Sequence, residues 1–362
     1  MVFPPLVRAA CCALLGAACL LASCATPAAP PATPAASASP AAPASAPAAA
    51  PAATAPPQPL PLKFAYTALS TTIAPYWIAL DSGLFQEEGL AIEPTFISAS
   101  TVGMQSLIAR EVDVTTVTGG AALQAAVNGA PVVIFATNVN SFIAQLIVSP
   151  EITSPEQLRG QPLGVVRFGT VSDFIARLLL RNWGMEPGRD VPIIQTGGQA
   201  ETIGAMQSGG VRAVVVADVA ALELRRLGYA LLADGADLGR EYVGLGVVAM
   251  RPYIDSNPEA IRRFTRALAR GMGRFVKDKA YSIEVMKRYT RLEDNSVLED
   301  SWELHTTRYA NRSLLTTPEA LRTVQEEIQD DPRVQSFDIA QLIDNRFVEE
   351  LHRSGFLEQV YR

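Results

Sequence analysis

The sequence predicts an α/β fold of two lobes, preceded by an export signal and a tether. Short runs rich in β-branched residues alternate with helical patterns from residue 62 to residue 250, which is typical of α/β units with mostly parallel sheets. About 300 residues follow the tether, a length that suits two cores of ~100–200 residues each. At two places consecutive strands leave no room for a helix, which indicates that the chain crosses between the lobes twice.

The first residues are typical of a secretion signal. Arg8 supplies a positive start, and the apolar run "AACCALLGAACLL" that follows is too short for a stable membrane span. The run ends in "LASC" (residues 21–24), which resembles the lipobox of bacterial lipoproteins. The resemblance implies removal of a signal peptide, residues 1–23, and acylation of Cys24, which would anchor the chain to a lipid bilayer. The alternatives are an ordinary signal peptide cleaved elsewhere and a retained transmembrane helix.

The next segment, residues 24–61, is predicted to be a lipid-anchored linker. It consists almost entirely of Ala, Pro, Ser and Thr, so it cannot bury enough apolar surface to offset the entropy of ordering. The four cysteines all lie at or before the proposed cleavage point, which leaves the globular part without a thiol for a disulfide or a metal site. The net charge of −6 argues against nucleic acid as a partner.

Ten strands are predicted in the globular part, with helices between most of them. They are expected at 62–66, 92–97, 112–117, 131–137, 144–149, 162–166, 191–196, 211–217, 230–234 and 244–250. After residue 250 the pattern becomes helical. Asn257 and Pro258 mark the start of a long helix, because Asn caps helices and Pro suits their first turn. Further helices are expected at 281–289, 294–310 and 317–329.

The two connections without a helix define the predicted lobes. One is "NVNSF", which follows the strand at 131–137, and the other lies within "ADGADLGREYVGLGVVAM", residues 233–250. The chain is expected to leave the first lobe at the former and to return at the latter. Lobe 1 is therefore predicted at 62–140 and 245–362, and lobe 2 at 141–244.

Several blocks of the globular part resemble one known family, in the same order along the chain. The first block carries the pattern P-W-x-A-x-x-x-G-L-F-x-x-E-G-L, here Pro75, Trp77, Ala79, Gly83, Leu84, Phe85, Glu88, Gly89 and Leu90. "AREVDVTTVTGGAALQAAVNGAPVVIFA", "SPEQLRGQPLGVVRFGTVSDF" and "NPEAIRRFTRALARG" continue it. These blocks resemble the nitrate/sulfonate/taurine substrate-binding proteins of ABC transporters, also called NMT1/THI5-like or SsuA/TauA-like.

The resemblance implies a type II periplasmic-binding-protein fold: two α/β lobes, two crossover strands and a ligand cleft between the lobes. It implies capture of a small solute, anionic or aromatic, and delivery to an ABC permease from the extracytoplasmic side of the cell envelope. Two other interpretations stay open: a ligand-sensing module for a membrane receptor, and an enzyme related to pyrimidine precursors. The cysteine-rich motif of the family's pyrimidine-synthesising branch is absent from the sequence, which argues against the enzyme.

The predicted ligand contacts are the residues that follow the strands. In open α/β sheets, ligands bind beyond the carboxyl ends of strands, where helix N-termini point into the crevice and favour an anion by about 0.3–1 kcal/mol each. In lobe 1 the predicted contacts are Ser70, Thr71, Thr72, Tyr76, Trp77, Ser98, Ser100, Thr101, Thr118 and Gly119. In lobe 2 they are Arg167, Phe168, Gly169, Thr170, Ser172, Gln199 and Asp218.

Each of these residues also has a structural interpretation. Any one of the helix-start residues can be a helix cap without contacting a ligand. Ser100 is the predicted N-cap of a helix from Thr101. Trp77 can serve lobe packing. Arg167 would bind a carboxylate or sulfonate with two parallel hydrogen bonds, unless strand alternation points it away from the cleft. Asp218 would suit a ligand amine or ring N–H, or cap its helix.

Catalysis has little support in the sequence. The two histidines, His305 and His352, fall in separate helical regions and form no predicted triad or metal cluster. The chain contains no P-loop and no Gly-x-Ser-x-Gly elbow. We therefore expect a binding protein without catalytic residues, metal or cofactor.

Overall fold

The computed structural model describes residues 58–328 and 331–362, without the side chains of Gln199 and Asp218. The predicted signal peptide, Cys24 and the linker as far as residue 57 lie outside the described residues. The described residues belong to one compact unit. Within the described ranges, no helix has the length and apolar character needed to span a membrane.

The first sheet has five strands in the order β2-β1-β3-β10-β4. β1 pairs in parallel with β2 and β3, whereas β10 lies antiparallel between β3 and β4. The strands are β1 (Leu60–Tyr66), β2 (Leu90–Phe96), β3 (Val114–Val117), β4 (Val132–Val139) and β10 (Leu245–Met250). β4 is buried along its whole length, as expected for a strand covered on both faces.

The second sheet repeats this arrangement, with the order β7-β6-β8-β5-β9. β6 pairs in parallel with β7 and β8, and β5 lies antiparallel between β8 and β9. The strands are β5 (Gln145–Val148), β6 (Leu163–Val165), β7 (Ile193–Gln195), β8 (Ala213–Val216) and β9 (Ala230–Asp234). All ten predicted strands are present, with ends that differ from the prediction by at most two residues.

As predicted, most strands of each sheet run in one direction, since four of the five described strands are parallel to one another and one is reversed. Each sheet has two parallel and two antiparallel pairings among the described strands. The antiparallel strand in each case is the one that arrives from the other sheet, β5 after β4 and β10 after β9. A strand that enters without a crossover helix is free to run opposite to its neighbours.

The two connections between the sheets lie side by side. The chain leaves the first sheet after β4 and returns before β10. Phe142 in the first connection stacks on Tyr242 in the second, with ring centroids 4.5 Å apart, and both side chains are buried. The lobe limits 62–140, 141–244 and 245–362 remain a prediction, and the strands on either side of them belong to different sheets.

Fifteen α-helices lie in the described ranges, and most of them join strands or form the C-terminal region. They are α1 (Ala74–Asp81), α2 (Leu84–Glu87), α3 (Ser100–Ile108), α4 (Gly119–Val127), α5 (Val171–Asn182), α6 (Gln199–Gln207), α7 (Asp218–Arg226), α8 (Arg251–Ser256), α9 (Pro258–Lys277), α10 (Lys279–Thr290), α11 (Asn295–Leu304), α12 (Pro318–Glu327), α13 (Pro332–Gln335), α14 (Arg346–Arg353) and α15 (Phe356–Tyr361). Short 3₁₀ turns cover Thr71–Ile73, Pro155–Leu158, Gly235–Leu238 and Ile339–Leu342.

The helix predicted at 294–310 is two elements. α11 stops at Leu304, and residues His305–Tyr309 continue as a π-helix. π-Helical turns are rare and occur often at functional sites. Four helices, α8, α13, α14 and α15, were not predicted, since each is short and their apolar patterns span few turns.

The first sheet is covered by α1 and the long helix α9. Phe64 of β1 stacks on Tyr76 of α1 at 5.4 Å and contacts Phe264 of α9 edge-on at 5.2 Å. Burial of such rings stabilises a core by roughly 25 cal/mol per Å² of apolar surface. α1 ends as predicted, because Gly83 follows it in the left-handed conformation with φ of 72°.

Candidate functional site

A cavity of about 770 Å³ lies between the helix starts of the two sheets. The first sheet contributes the beginnings of α3 and α4, the second contributes the beginning of α5, and the end of α12 closes one side. Five predicted ligand contacts line it: Ser100, Thr101, Thr118, Gly169 and Thr170. Its other lining residues are Ala99, Met104, Gln105, Ile108, Gly120, Ala121, Gln124, Ala125, Val171, Glu327 and Ile328.

The start of α3 is held in an unusual backbone conformation. Ala99 has φ of 84° and ψ of 135°, a region that residues with a Cβ rarely adopt. The helix begins at Ser100, one residue before the predicted start, and Ala99 occupies the N-cap position, so the prediction of Ser100 as N-cap is wrong. The Ser100 hydroxyl instead accepts a hydrogen bond of 3.2 Å from the Thr118 amide and thereby joins the starts of α3 and α4.

The start of α4 is capped by Thr118, whose Oγ1 accepts a hydrogen bond of 3.4 Å from the Ala121 amide. The next residue, Gly119, donates its amide to the Val243 carbonyl at 2.9 Å. A Cβ at position 119 would lie 2.7 Å from the Val243 side chain and 2.8 Å from Val324. Glycine is therefore needed here for close approach to the return connection, and its amide already has a partner.

The start of α5 is tied together by its own side chains. The Gly169 amide donates to Asp173 Oδ2 at 3.0 Å, and the Phe168 amide donates to Gln195 Oε1 at 3.1 Å. The Thr170 hydroxyl donates to the Arg167 carbonyl at 2.7 Å. These contacts order the loop after β6 and use amides that were predicted to face a ligand.

Three further predicted contacts of lobe 2 lie beside the cavity. Ser172 Oγ accepts a hydrogen bond of 3.1 Å from the Val166 amide and lies 3.0 Å from Thr170 Oγ1. The Phe168 side chain is 53% exposed and borders a second cavity of about 300 Å³. The Arg167 side chain is exposed and forms no ion pair within the described part of the chain.

The loop after β1 lies apart from the cavity. Ser70 and Thr72 share a hydrogen bond of 2.7 Å between their hydroxyls, and Thr71 Oγ1 lies 2.6 Å from Ser301 Oγ of α11. Thr71 and Thr72 are buried. Thr71 therefore connects this loop to α11 in the C-terminal region. Ser98, which follows β2, is exposed.

Two of the three aromatic residues predicted to contact a ligand, Tyr76 and Trp77, are buried in α1. Tyr76 is 0% exposed, and its hydroxyl donates to Asn138 Oδ1 at 2.9 Å. Trp77 is also 0% exposed and stacks on Tyr289 with ring centroids 4.7 Å apart. The burial and stacking of Trp77 agree with its structural interpretation as a packing residue. A ligand contact by Tyr76 or Trp77 remains a prediction.

The remaining predicted contacts begin helices of the second lobe. Gln199 is the first residue of α6 and Asp218 the first of α7, with Gly198 and Ala217 in the N-cap positions. The side chains of Gln199 and Asp218 lie outside the described part of the structure, so their orientation towards the cleft stays a prediction.

Glu327, the last residue of α12, was not predicted from the sequence. Its carboxyl group accepts a hydrogen bond of 2.5 Å from the Tyr242 hydroxyl, and burial raises the pKa of Glu327. Burial and the neighbouring carboxylate raise the pKa of Tyr242 well above its usual range. Glu327 is the one charged residue in the described lining of the larger cavity. No local sequence motif predicts this role, because Glu327 lies about 200 residues after α4 in the sequence and meets it only in the folded protein.

A second buried polar group joins the π-helix to the second sheet. Asp234, at the end of β9, is 3% exposed and accepts hydrogen bonds from Gln145 at 3.1 Å and from Tyr309 at 3.2 Å. The Arg308 guanidinium lies 3.2 Å from the same carboxylate and 2.5 Å from Asp237. The π-helical turn places Arg308 and Tyr309 together on this carboxylate.

The site is equipped for recognition by hydroxyls, one carboxyl group and apolar side chains. No group of three potential metal ligands occurs in residues 58–328 and 331–362. His305 is buried against Tyr309, and His352 hydrogen-bonds the Ser313 carbonyl at 2.9 Å. The geometry is that of a small-molecule cavity between two sheets that are joined by two helix-free connections.

Comparison with known proteins identifies the family. The family model described as "NMT1/THI5 like" matches residues 70–280. A Bacillus subtilis (strain 168) protein named "Putative binding protein YtlA" is 24% identical over 213 residues, which are 57% of this chain. The match covers 64% of that relative, so this chain spans less than two thirds of its length.

Solved structures show the same fold. The periplasmic aliphatic sulphonate binding protein SsuA from Escherichia coli superposes with a TM-score of 0.67 at 19% identity, covering 80% of this chain and 93% of that one. The periplasmic nitrate-binding protein NrtA from Synechocystis PCC 6803 has a TM-score of 0.60 at 13% identity, covering 82% and 89%. The predicted fold of periplasmic binding proteins, with two α/β sheets and many helices, is confirmed.

Proposed function

Because the chain belongs to the NMT1/THI5 like family, we propose that it is an extracytoplasmic solute-binding protein of an ABC importer. The observation that carries the proposal is the 770 Å³ cavity, which residues from both sheets line. A solute held there contacts both sheets at once and favours the closed arrangement. Movement about the paired connections at Phe142 and Tyr242 would open and close it.

The solute is a small molecule of the aromatic rather than the anionic class. Met104, Ile108 and Val171 give the cavity an apolar wall that suits a ring. The described lining contains no cationic side chain to neutralise a sulfonate or carboxylate. An anion would have to recruit Arg167, which lies outside this lining.

The partners follow from this role. The closed, solute-loaded protein would dock on an ABC permease and release the solute there. Acylation of Cys24 would anchor the protein to the extracytoplasmic face of a membrane, and the Ala/Pro-rich linker would hold the globular part away from it. No step requires chemistry on the solute, so we propose no enzymatic activity, no cofactor and no nucleic-acid partner.

Solute capture is tested by purifying the full-length protein, denaturing it and identifying released small molecules by mass spectrometry. A thermal-shift screen with sulfonates, nitrate, aromatic carboxylates, pyrimidines and amino acids follows. A solute at about 100 times its Kd should stabilise the fold by about 2.7 kcal/mol. If no small molecule is released and no screened compound stabilises the protein, solute capture is contradicted.

The two finer points have their own controls. Metabolic labelling with a radioactive fatty acid should mark the wild-type protein and leave Cys24→Ser unlabelled. Arg167→Ala should leave the affinity for a neutral aromatic solute unchanged within about twofold, because an exposed charge outside the lining adds little. A large loss of affinity on that substitution would restore Arg167 as a ligand contact and an anion as the solute.

A further inference from the structure

Glu327 lies at a position where it does not stabilise its own helix. It is the last residue of α12, where the helix dipole disfavours a negative charge. It is half-buried, and no lysine or arginine of the described residues forms an ion pair with it. By contrast, the neighbouring Glu326 pairs with Arg240 at 2.6 Å.

Two groups partly compensate the Glu327 carboxyl. The Tyr242 hydroxyl donates to Oε2 at 2.5 Å, and a Cβ on Gly120, in the first turn of α4, would lie 3.9 Å from the same oxygen. The positive end of α4 therefore already has its anion. The compensation is incomplete, since the pKa of Glu327 is raised and burial is the largest cause.

The charges around Glu327 leave its carboxyl group directed at the cavities. The smaller cavity beside it is also lined by Asp173, Arg177 and Arg181. Arg177 is held by Asp173, with Nε 2.8 Å from Oδ1, and Arg181 is exposed. The larger cavity offers hydroxyls, amides and apolar side chains besides Glu327. A second anion placed there would be repelled by the Glu327 carboxylate.

We propose that Glu327 is the charge-recognition residue of the cavity and that the solute carries a protonated nitrogen, as an aromatic or alkyl amine or amidine. This inference rests on the proposed function as a solute-binding protein. The solute nitrogen donates to the Glu327 carboxylate while its apolar part lies against Met104 and Ile108. Tyr242 links this contact to the connections between the sheets, because its ring stacks on Phe142.

The test uses two sets of probes matched in size and differing in charge. The aromatic set is benzamidine, benzamide and benzoate, and the alkyl set is butylammonium, butanol and butanesulfonate. Isothermal titration calorimetry on the full-length wild-type protein should rank each set cation first, neutral second and anion last. The cation should bind at least tenfold more tightly than the anion.

Three variants assign the preference to the carboxyl group. Glu327→Gln should weaken binding of the cation at least tenfold and remove the difference between the probes. Glu327→Asp, which keeps the charge with a shorter reach, should retain the order of the probes. Glu319→Gln is the matched control, since Glu319 is exposed on the same helix and pairs with Arg322. Circular dichroism verifies that each variant is folded.

Three results would overturn the inference: an anion that binds as tightly as its cationic counterpart, a Glu327→Gln variant that binds the cation as the wild type does, or no binding by any probe. The proposed function is judged separately. A small molecule released from the denatured protein supports solute capture in each of these cases, whichever charge it carries.

Discussion

Arg308 Nε lies 3.2 Å from Asp234 Oδ2 and joins the C-terminal π-helix to the last strand of the second sheet. The carboxylate is 3% exposed, whereas the guanidinium is about one third exposed and also contacts Asp237. The pair therefore joins the C-terminal region to the second sheet next to the paired connections, because Gln145 follows the first connection and Asp237 lies in the second. Its strength bears on how easily the sheets move relative to each other.

Arg308→Ala should lower the free energy of unfolding by about 1.5–3 kcal/mol, because it removes the ion pair of a buried carboxylate that keeps its Gln145 and Tyr309 partners. Urea denaturation measures the loss. Arg322→Ala, which breaks the exposed pair with Glu319, is the control and should cost less than about 1 kcal/mol. Equal costs for the two variants would show that the Arg308 pair is as weak as a surface pair.

Gly119→Ala should destabilise the protein by about 1–3 kcal/mol, because the added Cβ would lie 3.0 Å from the Val243 carbonyl oxygen and closer still to two valine side chains. Gly204→Ala is the matched control. Gly204 lies in α6, and a Cβ added there would meet no atom within 4 Å beyond its own helix backbone, so alanine should stabilise by up to about 1 kcal/mol. Thermal denaturation of both variants decides; the same sign for both would contradict the close approach at α4.

Tyr76→Phe separates a structural role from a ligand contact. The substitution removes the donor to Asn138 Oδ1, and leaving this buried acceptor unsatisfied should cost about 1–3 kcal/mol of stability. Tyr229→Phe, at a half-buried tyrosine of the second lobe, should change stability by less than about 0.5 kcal/mol. Affinity for the solute should be unchanged in Tyr76→Phe. A tenfold loss of affinity would instead support the predicted ligand contact.

Glu327→Gln should stabilise the ligand-free protein increasingly as the pH rises. Burial raises the pKa of Glu327 in the folded state, so its contribution to stability is fully present below the pKa of the unfolded state and is lost as the pH rises through the folded pKa. The loss is about 1.4 kcal/mol for each unit by which the folded pKa is raised.

Denaturation curves from about pH 4 to pH 8 measure this difference. The wild type and Glu327→Gln should be similar at the acidic end, where the carboxyl is protonated, and should diverge towards the alkaline end. Glu319→Gln should track the wild type within about 0.5 kcal/mol throughout. A Glu327→Gln variant that is less stable at the alkaline end would show that the buried carboxylate stabilises the fold. The expected gain in stability with loss of solute binding would be a stability–function trade-off.

The order of strands and helices could be predicted from the sequence because each depends on local patterns. The apolar, β-branched run 131–137 predicts a strand that is buried on both faces, and it forms most of β4. Pro75 and Gly83 limit α1 through backbone preferences that need no neighbours. The two helix-free connections could be predicted because too few residues separate the consecutive strands to form a helix. The direction of β5 and β10 could not be predicted, because it depends on which strands they pair with in the folded protein.

The helix-start residues Ser100, Thr101, Thr118, Gly169 and Thr170 were predictable because strand ends and caps have local signatures, and the fold brings them to one cavity. The hydrogen-bond partners of the helix starts could not be predicted. The Gly119 amide donates to the Val243 carbonyl and the Gly169 amide to Asp173, and both are tertiary or loop contacts. Glu327 was missed because it ends an ordinary amphipathic helix. Its sequence neighbours carry no sign of the tyrosine and the helix start that surround it.

The sequence by itself determined the elements, the two crossings between sheets and the family, since propensity, turn residues and apolar period act over a few residues. Only the tertiary structure decided the charge of the cavity, the burial of Tyr76 and the contact of Arg308 with Asp234. Desolvation and pairing depend on groups that are distant along the chain and meet only when the two sheets are assembled.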